Sequence, residues 1–294
     1  MCSKFFLTLF LILSSSALAC DVYQVEVTTT ATTQNCYQGS SPFLLSPKVI
    51  VGSYNLHWLR NPKGLKSDLE HLNFVQIWAF QEVLQEHTTN ALPQSLLQIL
   101  PAGTWYIAYV PLNSEKNQNY KMEGQAIASR FPFSDFQIRP LQHSGLKNRA
   151  AYTAKFSLGN QRSFWFLNTD HEVEVFQLGF SDRLKQLKSL IDILNSFPKN
   201  DGAVVLGDFN TAGDQRFNHF MSSPQEVQQT YAFMKSQNLK WPSLIPQKEV
   251  TFKNIWTQNH LDHIFLKNLE PTSWNKYSQR KGSDHYPIFT EIVF

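Results

Sequence analysis

Cysteine is scarce, with three residues in 294. The nine histidines show no H-x-x-x-H spacing, and there is no C-x-x-C pair, so a structural zinc site is excluded on ligand pattern. G-x-S-x-G, the phosphate-binding P-loop and G-x-G-x-x-G are all missing, which removes the hydrolase nucleophile elbow and the common nucleotide-binding turns. Charged residues make up only 17%, below the roughly 25% of an average soluble chain, and the net charge of +3 is too small to define a basic nucleic-acid footprint. No apolar run approaches the ~18 residues that would span a bilayer. Internal repeats and runs of one charge are also missing, which argues against solenoids and charged interaction tails.

What is present begins with a targeting pattern. Lys4 precedes the apolar stretch Phe5 to Leu13, and Ala17-Leu18-Ala19 offers an A-x-A cleavage site. Residues 1–19 therefore read as a signal peptide, and the protein is expected to be secreted or periplasmic, with no integral membrane segment after cleavage. Cys20 and Cys36 would then be the remaining cysteines. An oxidising compartment favours a disulfide between them, closing a loop around Thr28 to Thr33. Two other readings stay open: Cys20 as a lipid-modified N-terminus behind A-L-A-C, or two free thiols.

At 42% hydrophobic and 14% aromatic, the chain can bury a large core. Residues 20–47 are Thr/Ser/Gln-rich and read as an extended lead-in with one edge strand. Strands are expected at Lys48–Asn55, Val75–Gln81, Trp105–Val110, Gly124–Ser129, Ala150–Phe156, Ser163–Asn168, Ala203–Leu206, Leu261–Leu266 and Pro287–Phe294. Helices are expected at Leu65–Leu72, Asn90–Leu100, Ser181–Phe197 with Ser181 as N-cap, and Pro224–Asn238. The alternation implies one α/β domain over residues 48–294.

Polar residues cluster where these strands end: Asn55 in SYNLHW, Glu82 in FQEV, Asp208 and Asn210 in LGDFNT, Asp262 in LDHIF, and Asp284-His285 in GSDHYP. Acids at the ends of apolar strands are costly unless they bind a cation or accept hydrogen bonds. Oxygen donors such as Glu82, Asn55 and Asp284 suit Mg²⁺, Mn²⁺ or Ca²⁺ better than zinc. Taken singly, each motif is an ordinary strand end, turn or hydrogen-bonded pair.

Their order resembles the endonuclease/exonuclease/phosphatase superfamily over roughly Val49 to Phe294. Glu123 to Pro132 resembles that family's G-x-A-I-L-S-R-F-P strand, and Asn148-Arg149-Ala150-Ala151 its Arg-containing strand start. The resemblance implies a four-layer α/β sandwich, two packed mixed β-sheets flanked by helices, with the site at one edge. It implies a phosphoric ester hydrolase using Mg²⁺ or Mn²⁺. Glu82 would be the main metal ligand, helped by Asn55 and Asp284. Asp208 would hold the attacking water, and Asn210 would orient it or the phosphate. His285 would contact a phosphate oxygen or act as base, with Asp262 fixing it and Glu123 as a second partner. Arg149, together with Lys116, Lys121, Arg130 and Lys147, could contact phosphate.

One position departs from the family's N-T-H-L. Here Asn168-Thr169 is followed by Asp170 and then His171, so a β-bulge re-aims His171, Asp170 replaces the histidine, or the step uses metal-bound water. His57 and His263 read as satisfied structural histidines, although His57 could line the groove. A nucleic-acid substrate is expected first and a phospholipid second, on a probable monomer; the remaining alternative is a catalytically silent binding module, which need not bind metal.

Overall fold

The computed structural model describes residues 21–28, 31–37, 39, 47–85, 92–114, 122–142, 148–159, 162–171, 177–211, 224–242, 250–253 and 258–294. The expected signal sequence and Cys20 lie outside these residues. Cys36 is disulfide-bonded.

The strands, in chain order, are β1 (Tyr23–Val27), β2 (Thr32–Cys36), β3 (Lys48–Asn55), β4 (Ile77–Gln85), β5 (Gly103–Ser114), β6 (Met122–Ser129), β7 (Ser134–Pro140) and β8 (Ala150–Gly159). They continue as β9 (Arg162–Asp170), β10 (Gly202–Asp208), β11 (Phe252–Lys253), β12 (Gln258–Asn259), β13 (Asp262–Lys267), β14 (Glu270–Pro271), β15 (Asn275–Lys276) and β16 (Ile288–Val293). The helices are α1 (Pro62–His71), α2 (Gln94–Ile99), α3 (Gln177–Ser196) and α4 (Pro224–Ser236). One sheet has the order β14-β16-β3-β4-β6-β5-β1-β2, with β15 beside β16; the second has the order β13-β10-β9-β8-β7. Both are mixed: β3 runs parallel to β4 and β9 to β10, while their other neighbours pair antiparallel.

Alternation along the strands decides what lies between the sheets. Val49 and Val51, Ile77 and Ala79, Phe164 and Phe166, Val204 and Leu206, and Ile264 and Leu266 form one buried cluster between the two sheets. Their strand neighbours point outward. Tyr54, Trp78 and Phe80 meet Leu65, Leu69, Leu96 and Leu97 of α1 and α2. Trp165, Leu167, Ala203, Val205 and Phe265 meet Leu187, Leu190, Ile191, Leu194 and Met234 of α3 and α4. The result is helix, sheet, sheet, helix, the four-layer sandwich expected. Among the described residues, no helix is long and apolar enough to cross a membrane.

The differences from the sequence expectation have local causes. Residues 20–47 supply two strands rather than one, because β1 pairs with β5 on one side and with β2 on the other. Helix α1 starts three residues earlier than expected, since the Asn61 side chain accepts from Gly64 N at 3.1 Å and Pro62 suits the first turn. Helix α3 begins at Gln177, which puts Ser181 inside it and not at its cap; the apolar period was the stronger signal. Strand β7 was missed because its residues alternate between half-buried and exposed positions and form no apolar run.

Gly207 fixes the geometry of β10 where it enters the site. Its φ is +146°, and a Cβ there would meet the Thr169 carbonyl oxygen on the neighbouring strand at 1.9 Å. Backbone strain and a main-chain clash combine at that position. Gly207→Ala is expected to destabilise the protein by about 3 kcal/mol or more, measured by urea denaturation, and to displace Asp208 beside it.

Candidate active site

At one end of the sandwich the inward-facing positions turn from apolar to polar. Val49, Val51, Ser53 and Asn55 follow one another on β3, and Phe164, Phe166, Asn168 and Asp170 on β9. On β10 the series is Val204, Leu206 and Asp208, and on β13 it is Leu266, Ile264 and Asp262. The last apolar layer gives way to a buried amide layer. Gln81 Nε2 donates to Asn168 Oδ1 at 2.7 Å and to Ser53 Oγ at 3.2 Å, and Asn168 Nδ2 donates to the carbonyls of Phe80 and Ala126 at 2.9 Å each. This layer joins the two sheets beneath the acids.

Glu82 reaches the acids only through an irregularity. The expected strand end before Glu82 is not there: β4 continues to Gln85, with a register shift against β6 between Phe80 and Val83. Strict alternation would put Glu82 on the outward face with Trp78 and Phe80. Instead its φ is +51°, and its carboxylate comes within 3.1 Å of Asn55 Nδ2. The bulge aims this side chain into the cleft.

Asn55 bridges two acids, donating to Glu82 Oε1 and, at 3.0 Å, to Asp208 Oδ2. Its Oδ1 accepts from His57 N at 2.9 Å, which fixes the next turn. In that turn His57, Trp58 and Leu59 all have positive φ (47°, 54° and 57°), at roughly 1–2 kcal/mol of strain per residue. The turn places His57 Nδ1 3.3 Å from Asp284 Oδ1, so His57 lines the groove rather than being an isolated structural histidine. Asp208 Oδ1 accepts from Asn210 N at 2.9 Å.

His285 is held between two carboxylates. Its Nδ1 lies 2.9 Å from Asp262 Oδ2, and its Nε2 lies 3.7 Å from Asp208 Oδ2. Burial alone would push this imidazole down, but Asp262 and Asp208 outweigh it and raise it to about 10. The two carboxylates thus favour the protonated ring. Burial raises Glu82 to about 7, with the nearby Glu123 adding to the effect. Glu123 bears on Glu82 and Asp170, and the carboxylate bonded to His285 is Asp262.

The 170/171 ambiguity is decided by strand parity. Asp170 pairs with Asp208 across β9 and β10 without a bulge. Its Oδ2 is 2.8 Å from Arg149 Nη1, and its Oδ1 is 3.4 Å from Asn210 Nδ2. Burial raises the Asp170 carboxyl well above the usual range, opposed by Arg149. His171 points the other way, with its ring 4.6 Å from Phe209 and neither ring nitrogen hydrogen-bonded. Only its main chain serves the site: its N–H donates to the Asp208 carbonyl at 2.8 Å, and its own carbonyl accepts from Asn210 Nδ2 at 3.0 Å.

His263 lies on the same outer side. Thr211 Oγ1 donates to the His260 carbonyl at 2.7 Å, so it accepts from His263 Nε2 at 3.0 Å. That leaves His263 Nδ1 to accept from Tyr231 at 2.5 Å. Arg130 is committed to a turn, donating to the carbonyls of Thr104 and Ala102 and lying over Trp105. Lys116, Lys121 and Lys147 lie outside the described residues.

These buried histidines predict acid lability. Burial, with Arg149 and Arg183 adding, lowers His171 to about 3; burial and His260 hold His263 well below its ordinary value. A histidine depressed in the fold stays neutral while its unfolded counterpart takes up a proton below about 6.5. Stability is therefore lost as pH falls from about 6.5 toward 3, by about 1.4 kcal/mol per pH unit for each histidine. Because the buried carboxyls contribute equally to both proteins, the urea midpoint of His171→Phe should hold up better than the parent's as pH falls from 7 to 4.5.

The donor set fits a hard divalent cation. Carboxylates of Glu82, Asp208, Asp262, Asp284 and Asp170 crowd one end of the sandwich, against the Arg149 guanidinium and the His285 imidazolium. Asp208 and Asp262 place carboxylate oxygens within 4.8 Å of each other, beside the His285 ring. Oxygen-rich sites with surplus negative charge are suited to Mg²⁺, Mn²⁺ or Ca²⁺.

Comparison with known proteins agrees with this arrangement. The model of the endonuclease/exonuclease/phosphatase family matches residues 52–285. No curated protein matches the chain by sequence. Among solved structures, a family protein from Leptotrichia buccalis is 17% identical with a TM-score of 0.62, covering 84% of this chain and 100% of its own. Truncated TDP2 of Caenorhabditis elegans is 17% identical with a TM-score of 0.56, covering 84% and 98%. A mannosyl-6-phosphatase of Bacteroides thetaiotaomicron is 18% identical with a TM-score of 0.58, covering 84% and 100%. With residues 52–285, most of its length, matched by that model, this chain belongs to the endonuclease/exonuclease/phosphatase family.

Proposed function

We propose that the protein is an exported, divalent-metal-dependent phosphodiesterase whose substrate is a nucleic acid. The observation that carries the hydrolytic reading is the His285 ring between Asp262 and Asp208, with Asn55 joining Asp208 to Glu82. Phosphodiester hydrolysis needs an oriented acceptor for the attacking water and positive charge at the non-bridging oxygens. Asp208 fits the first role, because hydrogen bonds from Asn210 N and Asn55 Nδ2 fix both of its oxygens. His285, kept protonated by Asp262, fits the second as a charged donor, so it stabilises charge rather than acting as the base. Arg149 adds positive charge beside these acids, with Asp170 orienting it.

Glu82, Asn55 and Asp284 would hold the metal, which when bound offsets phosphate charge and steadies the leaving oxygen. Export rests on the signal-like residues 1–19. The printed names of the structural relatives include a sugar phosphatase, so the fold alone does not choose the ester. Nucleic acid is preferred over lipid because Phe74 is the one exposed large apolar residue among those described, and a lipid-surface enzyme needs an apolar rim.

The test incubates the protein lacking residues 1–19 with supercoiled plasmid and, separately, sphingomyelin vesicles, in Mg²⁺, Mn²⁺ or EDTA. Metal-dependent nicking is the expected result. Choline-phosphate release without nicking would transfer the assignment to lipid, and silence on both would overturn it.

A further inference from the structure

Asp68 lies in the middle of α1, fully buried, and touches none of the site residues. A carboxylate in such a position is costly unless its oxygens are satisfied. Among the described residues no cation pairs with it. Its partners are Tyr54, whose hydroxyl donates to Oδ2 at 2.8 Å, and two consecutive main-chain groups far away in sequence. Lys281 N lies 2.9 Å from both carboxylate oxygens, and Gly282 N is 2.8 Å from Oδ2. Two adjacent N–H groups aimed at one carboxylate form a small anion receptor, here filled by a side chain of the same protein.

The segment held in this way leads directly to Asp284 and His285. At the other end of the same peptide unit, the Lys281 carbonyl accepts from Asn61 Nδ2 at 2.9 Å. Gly282 packs so closely on α1 that a Cβ there would meet Leu65 N at 2.3 Å. The next residue, Ser283, donates from Oγ to the Asn55 carbonyl at 2.8 Å and accepts from His285 N at 3.1 Å. Hydrogen bonds at Lys281 and Gly282, the main chain into Ser283, and the Ser283 hydroxyl together connect Asp68 to His285.

We propose that Asp68 is a positioning residue, the anchor that sets where Asp284 and His285 stand relative to Asn55 and Glu82. The chemistry of the anchor requires a carboxylate. Asparagine would turn an N–H₂ toward one of the two backbone donors, and an apolar residue would leave both donors buried and unpaired. The 281–285 segment would then shift by a fraction of an ångström to an ångström, enough to misalign a catalytic pair. The placement rests on hydrogen bonds alone; the effect on turnover rests on the phosphodiesterase reading above.

The test compares Asp68→Asn and Tyr54→Phe with the parent protein by amide exchange and steady-state kinetics. Asp68→Asn is expected to raise exchange at least tenfold in residues 281–286 while the β10 core keeps its protection. On bis(p-nitrophenyl) phosphate it should lower kcat by about 100-fold with KM within about twofold. Tyr54→Phe removes one donor and should fall between the two. A merely structural role would instead loosen exchange everywhere and leave the kcat of the folded fraction unchanged, and that result overturns the proposal. If Asp68→Asn does not fold, Tyr54→Phe decides, since parental exchange in 281–286 and parental kcat there also overturn it. If the parent protein hydrolyses nothing, the phosphodiesterase reading fails by itself and amide exchange still judges the anchor.

Discussion

Asp208→Ala is expected to lower kcat on a chromogenic phosphodiester by about 10⁴-fold with the fold intact. Asp208 is the point where the site's halves meet. It accepts from Asn55 on the first sheet and Asn210 on the second, and it faces His285 Nε2. Removing it takes away the acceptor for the attacking water and one of the two carboxylates that keep His285 protonated. Both losses strike the transition state rather than substrate binding, so KM should change far less than kcat. Circular dichroism should remain parental and the urea midpoint should fall only modestly, because alanine leaves Asn210 N and one Asn55 Nδ2 hydrogen without their acceptor. A variant retaining a tenth of parental kcat would show that another group activates the water.

Glu82→Gln should lower kcat by about 10³-fold at fixed Mn²⁺ and weaken Mn²⁺ binding by calorimetry. The residue is held in the cleft by a β-bulge at positive φ, a conformation with an energetic cost. Its carboxyl, raised to about 7 by burial and by Glu123, is higher in the fold than in the unfolded chain. A carboxyl raised in this way destabilises the metal-free protein progressively as pH rises from about 4.5 to 7. The glutamine variant should therefore be more stable than the parent at pH 8 without metal, by about 2–4 °C in Tm per kcal/mol relieved. At pH 4 the two should coincide. Loss of function coupled to gain of stability separates a ligand from a structural acid.

Much of this site was legible from strand alternation. In Val49-x-Val51-x-Ser53-x-Asn55, Phe164-x-Phe166-x-Asn168-x-Asp170 and Val204-x-Leu206-x-Asp208, the inward positions become polar at the same end of each strand. The Asp262, Asp284 and His285 motifs stood out because acids and imidazoles flank apolar runs. The same parity rule also placed Asp170 inward and His171 outward; a bulge was the only way around it, and β9 has none there. The bulge lies in β4 instead, where Gln81-Glu82 gives no local sign of it, since positive φ at a glutamate is enforced by tertiary contacts. The Asp68 anchor was hidden for another reason. Its donors are backbone N–H groups more than two hundred residues away, and main-chain donors leave no mark in composition or motif. Within residues 20–47, a second strand was missed because polar edge strands lack the apolar alternation that identifies central ones.

The proposed reaction is metal-dependent phosphodiester hydrolysis at Asp208, Glu82 and His285. Its most direct test is the initial rate on bis(p-nitrophenyl) phosphate as Mn²⁺ is titrated into EDTA-treated protein, run in parallel with Asp208→Ala. No hydrolysis is expected without metal, with saturable activation by metal in the parent protein and a flat line for the variant. Hydrolysis that persists in EDTA, or that Asp208→Ala retains in full, would contradict it.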